Sequence, residues 1–261
     1  MRIATSKDGT ELAYDVCGDG PALVYITGAT CFRRFRPIVG DVRVFATRFT
    51  VYNYDRRGRG DSGDVRPYAI EREIDDIEAM VDAAGGRAIL YGHSSGAALA
   101  LEAAARMPDK IDRVVIYDAA YVHDEVERAS YAELAATVRA LLAEAKNARA
   151  LKTFLRGIGM PSVFVALLPL FPGWTTMKAL APTLMYDIAI TEARPPVERF
   201  ERIQVSVNVV VGEKNPPGMH QVARELAAAI PHASHQVLSG QDHMVSAKTL
   251  LPVLTNPVPP E

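Results

Sequence analysis

Arg87-Ala88-Ile89-Leu90-Tyr91-Gly92-His93-Ser94-Ser95-Gly96, followed by an alanine-rich run from Ala97 to Ala105, is the stretch on which the chain turns. Ala88 to Tyr91 is a short apolar run, long enough for a buried strand. Good helix formers then continue without a breaker to Pro108. Between them lies Gly-x-Ser-x-Gly, centred on Ser94. A strand that must turn at once into a helix forces the corner residue into a strained conformation. Gly92 and Gly96 remove the side chains that would collide there. The predicted product is a serine hydroxyl at the carboxyl end of a strand, over the first amides of a helix, where negative charge is favoured. An ordinary turn has the same five letters, but strand before and helix after argue against it. A nucleophilic serine also needs a base, an acid and oxyanion donors, which the rest of the chain must supply.

Working outward, Arg113 to Asp118 is another buried strand, and it ends in an acid. Upstream, Ile70 to Ala84 is helical, with Ile74, Ile77 and Val81 on one face. Phe49 to Tyr54 is a strand, and Ala22 to Thr27 is a continuous apolar strand ending at Gly28. Arg2 to Thr5 and Glu11 to Val16 are strands joined through Asp8-Gly9, a hairpin signal. Strands alternating with helices predict an α/β fold: a mainly parallel central sheet with helices on both faces. Ligands of such sheets bind beyond the carboxyl ends of the strands, where Gly28, Ser94 and Asp118 all fall. The loop Asp55-Arg56-Arg57-Gly58-Arg59-Gly60-Asp61-Ser62-Gly63 lacks the spacing of a phosphate cradle. It reads as a structural loop whose arginines pair with its own aspartates. Arg33, Arg34 and Arg36 read as a solvated face.

From Val122 to Phe200 no strand is evident. Glu125 to Ala148 reads as one long amphipathic helix and Ala148 to Ile158 as another, so 122–200 is expected to be a helical insertion. Core residues would then be 1–121 and 201–261. The second part holds a strand at Val205 to Val211, a helix at His220 to Ile230 and a last strand at His235 to Leu238. A loop at Gly240-Gln241-Asp242-His243-Met244 and a closing helix at Ser246 to Leu254 follow, and Asn256 to Glu261 is a loose tail.

With 261 residues, 49% hydrophobic and 23% charged, the chain can bury a full core. A net charge of -2 argues against nucleic acid or an anionic membrane as partner. Cys17 and Cys31 make neither a metal-type spacing nor a disulfide framework, and read as free thiols of a reducing compartment. The amino terminus lacks the apolar run of a signal peptide, and the most apolar segment, Ser162 to Trp174, is proline-broken and too short to span a bilayer. A cytoplasmic protein acting on a small molecule, as monomer or homodimer, is expected. No metal or organic cofactor is implied, because neither a His-Glu-x-x-His nor a dinucleotide fingerprint occurs.

Over essentially its full length the chain resembles the α/β-hydrolase superfamily. The resemblance rests on Gly92-His93-Ser94-Ser95-Gly96 after the fifth strand, Asp55-Arg56-Arg57-Gly58-Arg59-Gly60-Asp61-Ser62 after the fourth, and Gly240-Gln241-Asp242-His243 after the last, in that fold's order. The helical insertion falls after the sixth strand, where the superfamily places its cap. The resemblance implies a triad in the order Ser, acid, His, hence Ser94, an acid and His243. Of the six histidines only His243 lies on a loop beyond the carboxyl end of a strand; His93, inside the turn, is expected to point away from Ser94. The superfamily usually carries the acid three residues past a glycine after the seventh strand, and here that position is Asn215. Some members place it after the sixth strand, which makes Asp118 the favoured acid, with Glu213 the alternative and a helix-capping Asp118 its plain counterpart. The implied oxyanion donors are the backbone amides of Ser95 and Ala29, although Thr27-Gly28 stands where many relatives have His-Gly.

What the resemblance implies is acyl transfer to water: a serine hydrolase cleaving a carboxylic ester or lactone of a small, largely apolar substrate through an acyl-enzyme. Phe164, Leu167, Leu168 and Trp174 are candidates for the pocket lining, or else pack the insertion onto the core. The alternatives are other Ser-His chemistry on this fold, such as carbon–carbon hydrolysis, cyanohydrin lysis or perhydrolysis, and a ligand receptor with little turnover.

Overall fold

A computed structural model describes residues 1–256, so the predicted tail falls almost wholly outside the described residues. Eight strands form one sheet: β1 Arg2–Thr5, β2 Glu11–Cys17, β3 Ala22–Ile26, β4 Thr50–Tyr54, β5 Ala88–His93, β6 Ile111–Tyr117, β7 Val207–Gly212 and β8 Ala233–Leu238. Their order is β1-β2-β4-β3-β5-β6-β7-β8. β1 and β2 run antiparallel to each other, and β2 antiparallel to β4; every other pairing is parallel.

Three core helices precede β6, namely α1 Arg36–Phe45, α2 Ile70–Ala83 and α3 Ser95–Arg106. Between β6 and β7 come α4 Glu125–Ala143, α5 Asn147–Gly157, α6 Ser162–Leu167, α7 Trp174–Ala179, α8 Leu184–Thr191 and α9 Val197–Phe200. α10 Pro217–Ala229 and α11 Ala247–Thr255 follow β7 and β8. The predicted helix Glu125 to Ala148 is therefore two helices. Ala145 takes φ 55°, its N–H bonds to the Leu142 carbonyl and the Lys146 N–H to that of Leu141, which is a left-handed helix stop made without a glycine. The first helix of the core, α1, starts at Arg36, with Pro37 in its first turn.

The period-two alternation of β5 distributes its side chains between two cores. Ala88 and Leu90 face the cluster built with α2, α3 and α10, while Ile89 and Tyr91 face the one closed by α1 and α11. Both faces are therefore covered, which is why β3 and the stretches 88–91 of β5, 114–117 of β6 and 209–211 of β7 are continuous apolar runs. A third cluster lies among the inserted helices, around Val138, Leu151, Phe154, Val165, Leu168 and Leu184, and it takes in Phe32 from the loop after β3. The segment between β6 and β7 does not stand wholly apart, since Ile190 and Phe200 join the main core. Among the described residues no helix is long and apolar enough to cross a membrane.

Candidate active site

The candidate residues gather at the carboxyl edge of the parallel strands. Ser94 sits between β5 and α3 with φ 58° and ψ -122°, so the corner that its two glycines predict is formed, and a non-glycine residue is held in a sparsely populated conformation. The surroundings enforce it. The Ser94 N–H bonds to the Tyr117 carbonyl at 3.0 Å, and its own carbonyl accepts from Ala97 N–H at 3.0 Å. A Cβ on Gly96 would strike the Ile26 carbonyl oxygen, and one on Gly92 would lie 2.5 Å from the Gly96 carbonyl oxygen. Gly28 is equally tight: a Cβ there would come within 2.9 Å of the Ser94 Cβ. The loop after β3 is thus pressed directly against the serine, with the Ala29 amide in the next residue.

Asp118 follows β6 with φ 49° and is buried. Its Oδ1 accepts from Gly212 N–H at 3.1 Å, and its Oδ2 from the Asn215 side-chain amide at 2.6 Å and His243 Nδ1 at 3.1 Å. The structure therefore brings His243 to Asp118 and not to Glu213. The Glu213 carboxylate is occupied elsewhere, accepting from Ser239 Oγ at 2.9 Å and Gly240 N–H at 2.6 Å, and so shapes the turn after β8. Asn215, where the superfamily usually carries its acid, is itself a partner of Asp118. The sequence contained that signal, an amide donor where a carboxylate was expected, but only the fold shows that the two positions meet.

His93 precedes Ser94 in the chain. It lies beside His243, with ring centroids 4.9 Å apart, and its Nε2 donates to the His243 carbonyl at 2.9 Å. Burial, with the His243 imidazole beside it, pushes the His93 imidazole down to about 4, so near neutrality it is uncharged and its Nε2–H bonds the carbonyl. It anchors the main chain of the loop whose side chain meets Asp118.

The arginines of the loop after β4 do not pair with that loop's own aspartates. Asp55 and Asp61 are taken by Arg33, which also meets Asp15 and is buried rather than part of a solvated face. Arg34 stays exposed and pairs with Asp61 at 2.7 Å. Arg56 makes a bidentate pair with Glu73 of α2 at 2.6 and 2.7 Å, and Arg57 does the same with Asp76, at 2.7 Å in both bonds. Arg56 and Arg59 both reach Asp187 of α8. Short-range sequence reading finds the nearest opposite charge, whereas these partners come from α2, α8 and the loop after β3.

Of the four proposed lining residues, Leu168 is enclosed in the cluster of inserted helices, and Trp174 packs partly buried against it beneath Lys152. Phe164 and Leu167 remain 42% and 45% exposed, with the Phe164 ring 6.0 Å from that of Phe171. Among the described residues no group of three or more His, Cys, Asp or Glu side chains is placed to hold a metal ion.

Asp118 is buried and pairs with the partly exposed His243 at the strand ends, and the strained Ser94 sits on the strand–helix corner of the same edge; these are residue types that hydrolases use for nucleophilic attack. The sequence profile of the alpha/beta hydrolase family matches residues 23–249, and the chain belongs to that family. Among solved structures it is similar to an alpha/beta hydrolase from Sphaerobacter thermophilus DSM 20745, with 38% identity, a TM-score of 0.86 and coverage of 97% of this chain and 98% of that one. The enol-lactonase from Burkholderia xenovorans LB400 shares the fold at 24% identity and TM-score 0.71, covering 98% of this chain and 100% of that chain. Among curated proteins the chain is 23% identical to the proline iminopeptidase PfmaB of Pestalotiopsis fici, over 92% of this chain and 95% of the relative.

Proposed function

We propose that the protein is a serine hydrolase that cleaves a carboxylic ester or lactone of a small, largely apolar substrate. The observation that carries this reading is the 3.1 Å contact between His243 Nδ1 and Asp118 Oδ2. With Nδ1 turned to the carboxylate, Nε2 is the nitrogen left to take the Ser94 proton as Oγ attacks the carbonyl carbon. The carbonyl π pair moves to oxygen, and the resulting oxyanion is met by the amides of Ala29 and Ser95. Collapse expels the alcohol, protonated by His243, and leaves an acyl-Ser94. Water, giving a proton to His243, then releases the acid and restores the serine.

The inserted helices act as the cap in this reading. Leu168 and Trp174 are the favoured lining because they share a cluster with Ala29 and Phe32 of the oxyanion loop, while Phe164 and Leu167 would extend the apolar surface outward. The test is hydrolysis of p-nitrophenyl esters of increasing acyl length and of simple lactones, with Ser94→Ala in parallel. Ester or lactone turnover should fall by about 10³-fold or more in Ser94→Ala. Proline p-nitroanilide is the competing substrate, since one relative is named a proline iminopeptidase. Preference for it would overturn the ester assignment, and equal rates in both proteins would overturn the serine mechanism.

A further inference from the structure

We propose that Arg59 and Asp187 form a positioning device for the oxyanion donors, through which a carboxylate on α8 of the cap sets the rate at the core. The proposal rests on the reading of the Ala29 and Ser95 amides as those donors.

The Gly28 carbonyl and the Ala29 N–H belong to one planar trans peptide, so they point in opposite directions. Arg59 Nη1 donates to the Gly28 carbonyl oxygen at 2.7 Å. That bond fixes the plane of the peptide and hence the direction of the Ala29 N–H. A cation on the oxygen end also polarises the amide and strengthens its N–H as a donor. One peptide earlier, Arg56 Nη1 donates to the Thr27 carbonyl at 3.2 Å.

The second donor is tethered to the same place. Ser95 Oγ donates to Asp187 Oδ1 at 2.7 Å. Asp187 Oδ1 also accepts from Arg56 Nη1 at 2.9 Å, and Arg59 Nη2 spans both carboxylate oxygens at 2.7 and 2.9 Å. The supports of both amides therefore converge on one buried carboxylate. Arg56, Arg59, Ser95 and Asp187 are all at most 2% exposed, so these bonds form where water does not compete. Burial alone would raise the Asp187 carboxyl, but Arg59 and Arg56 hold it below its ordinary value, so it stays ionised. A pair that served only to fasten helix to core would not need to spend a guanidinium hydrogen on the Gly28 carbonyl.

Two variants test the device. Arg59→Lys keeps the charge opposite Asp187 but has no planar fork to hold the Gly28 carbonyl as well. Ser95→Ala retains the backbone amide and removes the hydroxyl that donates to Asp187 and accepts from Arg56 Nη1 at 3.2 Å. Each is assayed for kcat and KM on the best ester, for inhibition by a trifluoromethyl ketone whose serine adduct carries the oxyanion, and for melting temperature. The expected result is a kcat lowered about 10- to 100-fold with KM within a few-fold, and inhibitor affinity weakened in parallel with kcat. Inhibitor affinity unchanged while kcat falls, or kcat unchanged in both variants, overturns the proposal. If Arg59→Lys does not fold, Ser95→Ala decides by the same two criteria. Wild-type protein without Ser94-dependent turnover would instead overturn the hydrolase reading, and this proposal with it.

Discussion

An amide at position 215 is the sharpest departure within the site, and its geometry shows what it does. Asn215 Nδ2 donates at 2.6 Å to Asp118 Oδ2, the same oxygen that meets His243 Nδ1 at 3.1 Å, so the amide helps to hold the carboxylate in place beside the imidazole. Replacing Asp118 by Asn should cost roughly 10³- to 10⁴-fold in kcat, because the imidazole loses both its orienting acceptor and the charge that stabilises its protonated form. Asn215→Asp alone would set two carboxylates 2.6 Å apart and should also lower kcat. The double exchange Asp118→Asn/Asn215→Asp restores one carboxylate and one amide with their places reversed. It should recover at least about tenfold over Asp118→Asn, and steady-state kinetics on a common ester will show whether it does. Glu213→Gln, by contrast, should leave kcat within about threefold, since its carboxylate braces the turn after β8.

The strand–helix corner between β5 and α3 stores conformational energy in Ser94. Relief of such strain is worth about 1–3 kcal/mol, against about 0.5–1 kcal/mol of extra unfolded-chain entropy for glycine. Ser94→Gly should therefore stabilise the protein by about 1 kcal/mol in urea unfolding while abolishing turnover, and Ser94→Ala should leave stability nearly unchanged. This corner was fully legible in sequence, because strand, glycines, serine and helix lie within a dozen residues and their sterics are local. β1 to β8 were legible for the same reason, being short apolar or alternating runs. The stop of α4 at Ala145 was not, because an alanine in the left-handed region carries no residue signature. Nor were the partners of Arg33, Arg56 and Arg59, each of which depends on segments brought together only by folding.

The whole molecule should also register its buried acids in its response to pH. Asp41 on α1 takes a hydrogen bond from the Tyr25 hydroxyl at 3.1 Å, and burial pushes its carboxyl up to about 6. A raised folded-state value means that the fold favours the protonated acid. The stabilisation is complete below about pH 4 and is lost as pH rises through about 6. Asp41→Asn should accordingly match the parent near pH 4 and exceed it at pH 8 by on the order of 1 kcal/mol, measured as melting temperatures at the two pH values. The ion network that joins α8 to the loop after β4 has a consequence for how such a protein can be altered. Arg56 and Arg59 on one side and Glu73 and Asp187 on the other are balanced only while α8 is in place. A chimera that takes its helices between β6 and β7 from a relative must supply a carboxylate at the position of Asp187, or leave Arg59 uncompensated in the interior. Recombination at the ends of this inserted segment is therefore restricted by charge as well as by shape, and α8 is inherited with the core it contacts.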